Sequence, residues 1–197
     1  MKFLTLYATT EGQTRKVANF VAHHLSERGH ETLCVDAEQV PKELDIHDFD
    51  GVLIAASLHL GRYQPEIVEF VRRHVDKIDR KPNAFISVSL AALSTDEDEG
   101  KGLHDCVQHF VHATGWSPGS LHHAAGAFRF TAYDFFRRWA LKYIAHRHGL
   151  ELDPHQDREF TDWQALGEFA DTFAAEAARH ALSGPSDHLP GGTAQLA

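Results

Sequence analysis

Residues 3–14 read Phe3-Leu4-Thr5-Leu6-Tyr7-Ala8-Thr9-Thr10-Glu11-Gly12-Gln13-Thr14, and the change of character within this stretch decides the fold. The first six residues are apolar and β-prone, and turn-forming residues follow at once. From Thr14 to Arg28 the apolar residues recur at helical spacing, and Gly29 is a suitable helix C-cap. The stretch therefore predicts a buried strand that leads through a short, hydroxyl-rich loop into a helix.

The alternation of strand and helix continues along the chain. Further strands are predicted at 32–36, 52–56, 84–90 and 120–127. Helices are predicted from about Pro65, around Cys106 and from Asp162, which is a good N-cap. Nearly continuous apolar strands are typical of a parallel sheet covered by helices on both faces. Right-handed crossovers then give a doubly wound α/β domain whose ligand crevice lies beyond the carboxyl ends of the strands.

Composition excludes several classes of protein. The 197 residues carry a formal charge of -9, whereas a dedicated nucleic-acid-binding protein usually presents a basic face. Two distant cysteines give no disulfide framework, and the 16 histidines form no metal-binding motif, so no metal is expected. No apolar stretch reaches the roughly 20 residues of a membrane span. We expect a cytoplasmic protein, with peripheral attachment to the inner face of the cell membrane as an open alternative.

The loop Thr9-Thr10-Glu11-Gly12-Gln13-Thr14 is the strongest candidate for a binding site. Its three hydroxyls can donate to a phosphate, Gly12 permits a tight turn, and the start of the helix adds unpaired amide groups. The loop has neither the lysine of a nucleoside triphosphate site nor the glycine spacing of a dinucleotide site. The alternative is an ordinary threonine-rich helix cap.

Two further loops follow neighbouring strands and are expected to converge on the same crevice. One is Ser57-Leu58-His59-Leu60-Gly61-Arg62-Tyr63, in which His59 and Tyr63 are planar groups that could lie against a flat ring. The other is Ser89-Leu90-Ala91-Ala92, which continues to Leu93 and Ser94. One loop would thus bind a phosphate, and two would flank a planar heterocycle.

These loops are similar to the cofactor loops of flavodoxins. Together with Gly126-Ala127-Phe128-Arg129-Phe130 and Phe160-Thr161-Asp162-Trp163, the sequence resembles a subgroup, the bacterial FMN- and quinone-dependent protoporphyrinogen IX dehydrogenases. The resemblance implies a five-stranded sheet of order 2-1-3-4-5 with FMN bound by the three loops. It also implies oxidation of protoporphyrinogen IX to protoporphyrin IX with a quinone as acceptor, a step of haem biosynthesis. The alternative is an electron carrier of the flavodoxin type that docks on a redox partner.

A segment over 131–150 is an insertion relative to a minimal flavodoxin. On a helical wheel, aromatic residues from Tyr133 to Tyr143 share one face and basic residues share the other. Such a helix could lie on an anionic membrane surface, could cover a tetrapyrrole, or could simply pack against the domain. Arg129, Arg137 and Arg138 are candidates to bind substrate carboxylates.

The chain is expected to form one domain over 1–182. The remaining segment, 183–197, is rich in Gly, Pro and Ser and is expected to be disordered. The acidic run Asp96-Glu97-Asp98-Glu99 is expected to form a solvated loop. The oligomeric state is left open by the sequence.

Overall fold

The computed structural model describes residues 1–93, 97–128 and 158–183. The proposed insertion, Arg129, Arg137, Arg138 and the tail beyond Ser183 lie outside these ranges. The helices are α1 (Gln13–Glu27), α2 (Pro65–Ile78), α3 (Glu97–Thr114) and α4 (Trp163–Ser183). Short 3-10 turns occupy Ala37–Gln39, Ile46–Asp48 and Leu90–Leu93.

Five parallel strands form the central sheet in the order β2-β1-β3-β4-β5. They are β1 (Lys2–Ala8), β2 (Glu31–Asp36), β3 (Gly51–Ser57), β4 (Asn83–Ser89) and β5 (Ser120–Ala125). This confirms the predicted fold and strand order. The predicted fifth strand ends two residues early, at Ala125. After Gly126, the short strand β6 (Ala127–Phe128) pairs antiparallel with β7 (Arg158–Glu159), which the sequence did not predict.

Alternate residues of the strands enter two separate cores, as a doubly covered parallel sheet requires. Leu4 and Leu6 of β1 lie on one face with residues of α2 and α3. Phe3 and Tyr7 lie on the other face with residues of α1 and α4. The central strands β3 and β4 are buried almost completely, and this is why their sequences are nearly continuous apolar runs.

The acidic run after β4 is not the loop that was expected. Glu97, Asp98 and Glu99 are the first residues of α3. The helix therefore begins within the charged run, where the expectation of a solvated loop was wrong.

Among the described helices, none is long and apolar enough to cross a membrane.

Candidate functional site

A cavity of about 440 Å³ opens beyond the carboxyl ends of β1, β3 and β4. All three loops singled out in the sequence contribute to its wall, and the segment after β5 closes one side. The cavity is therefore at the edge of the sheet where the doubly wound topology predicts it. The lining residues are Thr9, Thr10, Glu11, Gln13, Thr14, Ser57, Leu58, His59, Leu60, Gly61, Val88, Ser89, Leu90, Ala91, Gly126 and Ala127.

The first loop presents an uncapped helix start to the cavity. Gly12 is the N-cap of α1 with φ of 86°, a left-handed conformation that favours glycine. Its amide donates to Thr9 Oγ1 at 2.9 Å, which closes the loop on itself. No side chain caps α1, so the amides of its first turn are available to an anionic group.

Two buried side chains at the start of α1 have atoms without hydrogen-bond partners in the described part of the chain. They are Thr14 Oγ1 and Gln13 Oε1. Gln13 is held in place because its Nε2 donates to Thr161 Oγ1 at 2.9 Å, and Thr161 donates to the carbonyl of Ala125 at 2.8 Å. Buried polar atoms are usually paired, so the two unpaired atoms mark places where a ligand can supply the missing partner.

The second loop makes a tight turn at the rim of the cavity. His59 and Arg62 exchange backbone hydrogen bonds at 2.9 and 3.0 Å around Leu60 and Gly61. Leu60 has φ of 50° and is 86% exposed, which is unusual both for the backbone of a leucine and for an apolar side chain. The turn thus holds an apolar side chain in open solvent beside the cavity.

Tyr63 does not face the cavity, contrary to the expectation that its ring lies against a planar ligand. Its side chain is buried in the core, and its hydroxyl lies 2.8 Å from Ser87 Oγ. The ring makes edge contacts with Phe85 and Phe110. Burial raises the pKa of Tyr63 to about 12, so it is a neutral structural group.

The remaining predicted residues divide as follows. Gly12, Arg62 and Ala92 belong to the three loops but are not part of the cavity wall, whereas Val88, Gly126 and Ala127 are part of it and were not predicted. Ser89 is buried, and its hydroxyl accepts from the amide of Ala92 at 3.3 Å.

Gln64 and Thr161 support the site and were also missed by the sequence reasoning. Gln64 Nε2 donates to Thr10 Oγ1 at 3.0 Å and to Ser57 Oγ at 2.5 Å, which joins the first two loops. Gln64 is the last residue of the loop that follows β3, and the predicted loop ended one residue before it, at Tyr63. Thr161 follows β7, which is not part of the central sheet.

Few charged residues of the described ranges line the cavity. The ammonium group of Lys16 is paired with Glu159 at 2.7 Å, so this cation is engaged by β7. Glu11 contributes a carboxylate to the cavity wall. No group of His, Cys, Asp or Glu in the described ranges could hold a metal ion.

The cavity is thus polar at one end and apolar at the other. Hydroxyls and helix amides of Thr9 to Thr14 suit a phosphate, and Leu58, Leu60 and Leu90 suit a flat apolar ring system. These residues fit a phosphorylated planar cofactor such as FMN: the unpaired Thr14 hydroxyl can donate to a phosphate, and the unpaired Gln13 carbonyl can accept from a hydroxyl.

Comparison with protein families and curated proteins gives near full-length matches. A model of the flavodoxin domain family matches residues 4–154. The protoporphyrinogen IX dehydrogenase (quinone) of Escherichia coli strain K12 is 31% identical over 170 residues, which are 86% of this chain and 93% of that protein. The protein of the same name from Leishmania major is 29% identical over 174 residues, 88% of this chain and 75% of that protein.

Solved structures share the fold at lower identity. Oxidised flavodoxin 1 from Bacillus cereus aligns with a TM-score of 0.53 and 15% identity, and covers 89% of this chain and 98% of its own. A short-chain flavodoxin associated with a bacterial microcompartment aligns with a TM-score of 0.53 and 17% identity, over 90% and 99% of the two chains.

Proposed function

The chain belongs to the flavodoxin domain family, and on this premise we propose that it is an FMN-dependent oxidoreductase that oxidises protoporphyrinogen IX to protoporphyrin IX with a quinone as electron acceptor. The observation that carries the proposal is the match to the protoporphyrinogen IX dehydrogenase (quinone) of Escherichia coli strain K12, which extends over 93% of that protein's length. The activity belongs to haem biosynthesis. The geometry supports it, because the cavity has a polar end and an apolar end that suit FMN.

FMN supplies the redox chemistry, because its ring system accepts hydrogen from a substrate and passes electrons to a second acceptor. The chain supplies binding and orientation. The hydroxyls of Thr9, Thr10 and Thr14 and the first amides of α1 bind the phosphate, with Glu11, Gly12 and Gln13 shaping the loop.

The other two loops orient the ring system and exclude water from it. Leu58, Leu60 and Leu90 present apolar surface, so a planar ring gains by leaving water there. Ser57 and Ser89 contribute hydroxyl groups to the wall in these two loops, and the small residues Gly61 and Ala91 permit close approach.

Substrate recognition is assigned to Arg129, Arg137 and Arg138, whose guanidinium groups can pair with porphyrinogen carboxylates bidentately. Replacement of all three by Ala is expected to raise KM for the porphyrinogen at least tenfold and to leave FMN affinity unchanged. Unaltered KM in the triple variant would remove this assignment.

The basic and aromatic segment at 131–148 is also proposed to contact an anionic membrane surface, where a quinone is reached. Co-sedimentation with vesicles that contain anionic lipid, compared with neutral vesicles, measures this. Equal sedimentation with both kinds of vesicle would argue against the contact.

The proposed reaction is tested by anaerobic incubation of the FMN-loaded chain with protoporphyrinogen IX and a soluble quinone, with porphyrin fluorescence as the readout. Fluorescence should rise over repeated turnovers only when protein, FMN and quinone are all present. Porphyrin formation releases six electrons and each FMN accepts two, so the quinone must reoxidise the FMN. A protein that keeps FMN but forms no porphyrin would be an electron carrier instead.

A further inference from the structure

Gln64 connects two loops of the cavity wall through hydrogen bonds. It is the N-cap residue of α2, directly before Pro65, and its side chain does not cap its own helix. Its Nε2 donates instead to Thr10 Oγ1 at 3.0 Å and to Ser57 Oγ at 2.5 Å. Thr10 and Ser57 line the cavity, whereas Gln64 does not.

These two hydrogen bonds fix the direction of the hydroxyl protons. A hydroxyl has one proton to donate and lone pairs that accept. Because both oxygens accept from Gln64, and neither hydroxyl donates to an acceptor elsewhere in the described ranges, both protons are left for the cavity. A hydroxyl that accepts a hydrogen bond also becomes a stronger donor.

The orientation of the Gln64 amide leaves a buried oxygen without a hydrogen bond, and this unfavourable feature supports its role as a donor to the two hydroxyls. Gln64 Oε1 is buried and has no partner among the described residues. The opposite orientation would place the carbonyl against the two hydroxyls, consume their protons, and leave a buried NH₂ group without an acceptor. Buried N–H groups without partners are rarer than buried carbonyls without partners, so the observed orientation is the less costly one.

We infer that Gln64 is a positioning residue that sets the polarity of the site, because its amide turns the hydroxyls of Thr10 and Ser57 into donors toward a ligand rich in oxygen and nitrogen acceptors. This inference rests on the proposed function, since FMN has acceptor atoms on both its phosphate and its ring.

The polarity is tested with Gln64→Glu and Gln64→Ala, and the readout is the Kd for flavin from fluorescence quenching. A glutamate at this position has the shape of the glutamine but accepts from both hydroxyls, so it withdraws their protons from the cavity. We expect Kd for FMN to rise about threefold to tenfold in Q64A and at least a further tenfold in Q64E. A residue that only fills space would give the reverse order, with Q64E closest to the wild type.

Riboflavin separates polarity from charge, because it has no phosphate for a carboxylate to repel. The order of affinity, wild type above Q64A above Q64E, must hold for riboflavin as well as for FMN. In a chain that also carries Thr10→Val and Ser57→Ala, both hydroxyls are absent. The Q64A and Q64E substitutions should then give the same Kd for riboflavin. Gln164→Glu is the matched control and should leave Kd unchanged. Gln164 is an exposed residue of α4 whose side chain, within the described ranges, bonds only Glu168.

If Q64E does not fold, T10V and S57A replace it, and each must weaken FMN binding about threefold or more. Binding of riboflavin by Q64E as tight as by Q64A, or by S57A as tight as by the wild type, would overturn the inference. Binding of FMN by T10V as tight as by the wild type would also overturn it. A wild-type chain that binds no FMN would overturn the proposed function first, and the inference with it.

Discussion

Thr14 shows at the level of a single side chain how the fold leaves a place for a ligand. The residue is fully buried in the first turn of α1, yet its hydroxyl has no partner in the described part of the chain. A buried hydroxyl without a partner destabilises the ligand-free protein, and it is useful only if something else accepts its proton.

Thr14→Val is therefore expected to have opposite effects on stability and on binding. The free energy of unfolding of the ligand-free protein should stay the same or rise by up to about 1 kcal/mol, since an unpaired polar atom is replaced by an apolar one. Kd for FMN should rise at least tenfold, because a hydrogen bond to a charged phosphate is lost. Thermal unfolding and flavin fluorescence titration measure the two effects.

Thr5→Val is the matched control for this change. Thr5 is also fully buried, and its hydroxyl has no hydrogen-bond partner among the described residues, but it lies in β1 and does not line the cavity. Its replacement should affect stability in the same direction and leave Kd for FMN as it was. An equal loss of affinity in both variants would show that Thr14 acts only through the core.

Tyr63 gives a prediction about stability at high pH. Burial raises its pKa from 10.0 to about 12, so the folded state favours the neutral phenol. The stabilising contribution is complete below pH 10 and is lost as the pH rises toward 12. The free energy of unfolding should fall across this window by up to about 3 kcal/mol.

Tyr63→Phe should lack this part of the fall and should bind FMN with unchanged affinity, because the ring faces the core. The comparison is the difference between the two unfolding curves at pH 9 and at about pH 11, which cancels the titration of all other groups. The same decline in both proteins would contradict the assignment.

The structure brings together at the cavity most of the residues that were predicted on loops directly after strands. Position in the topology is sufficient for them, because the carboxyl ends of parallel strands share one edge. Tyr63 was placed wrongly since a planar side chain in a loop can turn either way, and its partner Ser87 lies in another strand. Gln64 was missed because its role depends on two hydrogen bonds that only the packed structure brings together.

At the level of elements, the turn at Leu60 and Gly61 conflicts with local preference. Two-residue turns with positive φ at both central positions favour Asn and Gly, because a leucine in this conformation is strained. The five strands of the central sheet and helix α1 follow their local patterns, so their bounds were predicted within about two residues. Helix α3 begins within an acidic run that was expected to be a loop. The strand pair β6 and β7 was not predicted, because two-residue strands have no periodicity to detect.

Leu60→Asn should stabilise the ligand-free protein and weaken the site. Relief of backbone strain is expected to raise the free energy of unfolding by about 0.5–1 kcal/mol. Loss of apolar surface at the rim should raise Kd for FMN about tenfold. Leu182→Asn, at an equally exposed leucine near the end of α4, should not change Kd. Tighter binding by L60N would show that the leucine obstructs the cavity.

At the level of the whole molecule, most residues that stabilise the fold lie on the faces of the sheet, and the residues that line the cavity lie at its carboxyl edge. The two cores lie on its two faces, and the cavity lies at its carboxyl edge. Within the second loop, Leu58 and Tyr63 pack with one of the cores, so changes at these two positions affect stability as well. The sequence predicted this arrangement because five apolar strands between helices permit few other topologies. The unpaired atoms around the cavity could not be predicted, because whether a buried polar atom has a hydrogen-bond partner depends on how the chain packs.

The central claim is that this chain takes hydrogen from a porphyrinogen and gives electrons to a quinone through FMN. The most direct measurement is the visible flavin absorbance of the FMN-loaded chain under anaerobic conditions, first with protoporphyrinogen IX and then with a quinone. We expect the absorbance to be lost on the first addition, because FMN accepts two of the six electrons that conversion of the porphyrinogen to porphyrin releases. The absorbance should return on the second addition, and porphyrin should then accumulate over repeated turnovers. Flavin absorbance that stays constant in the presence of the porphyrinogen would contradict it.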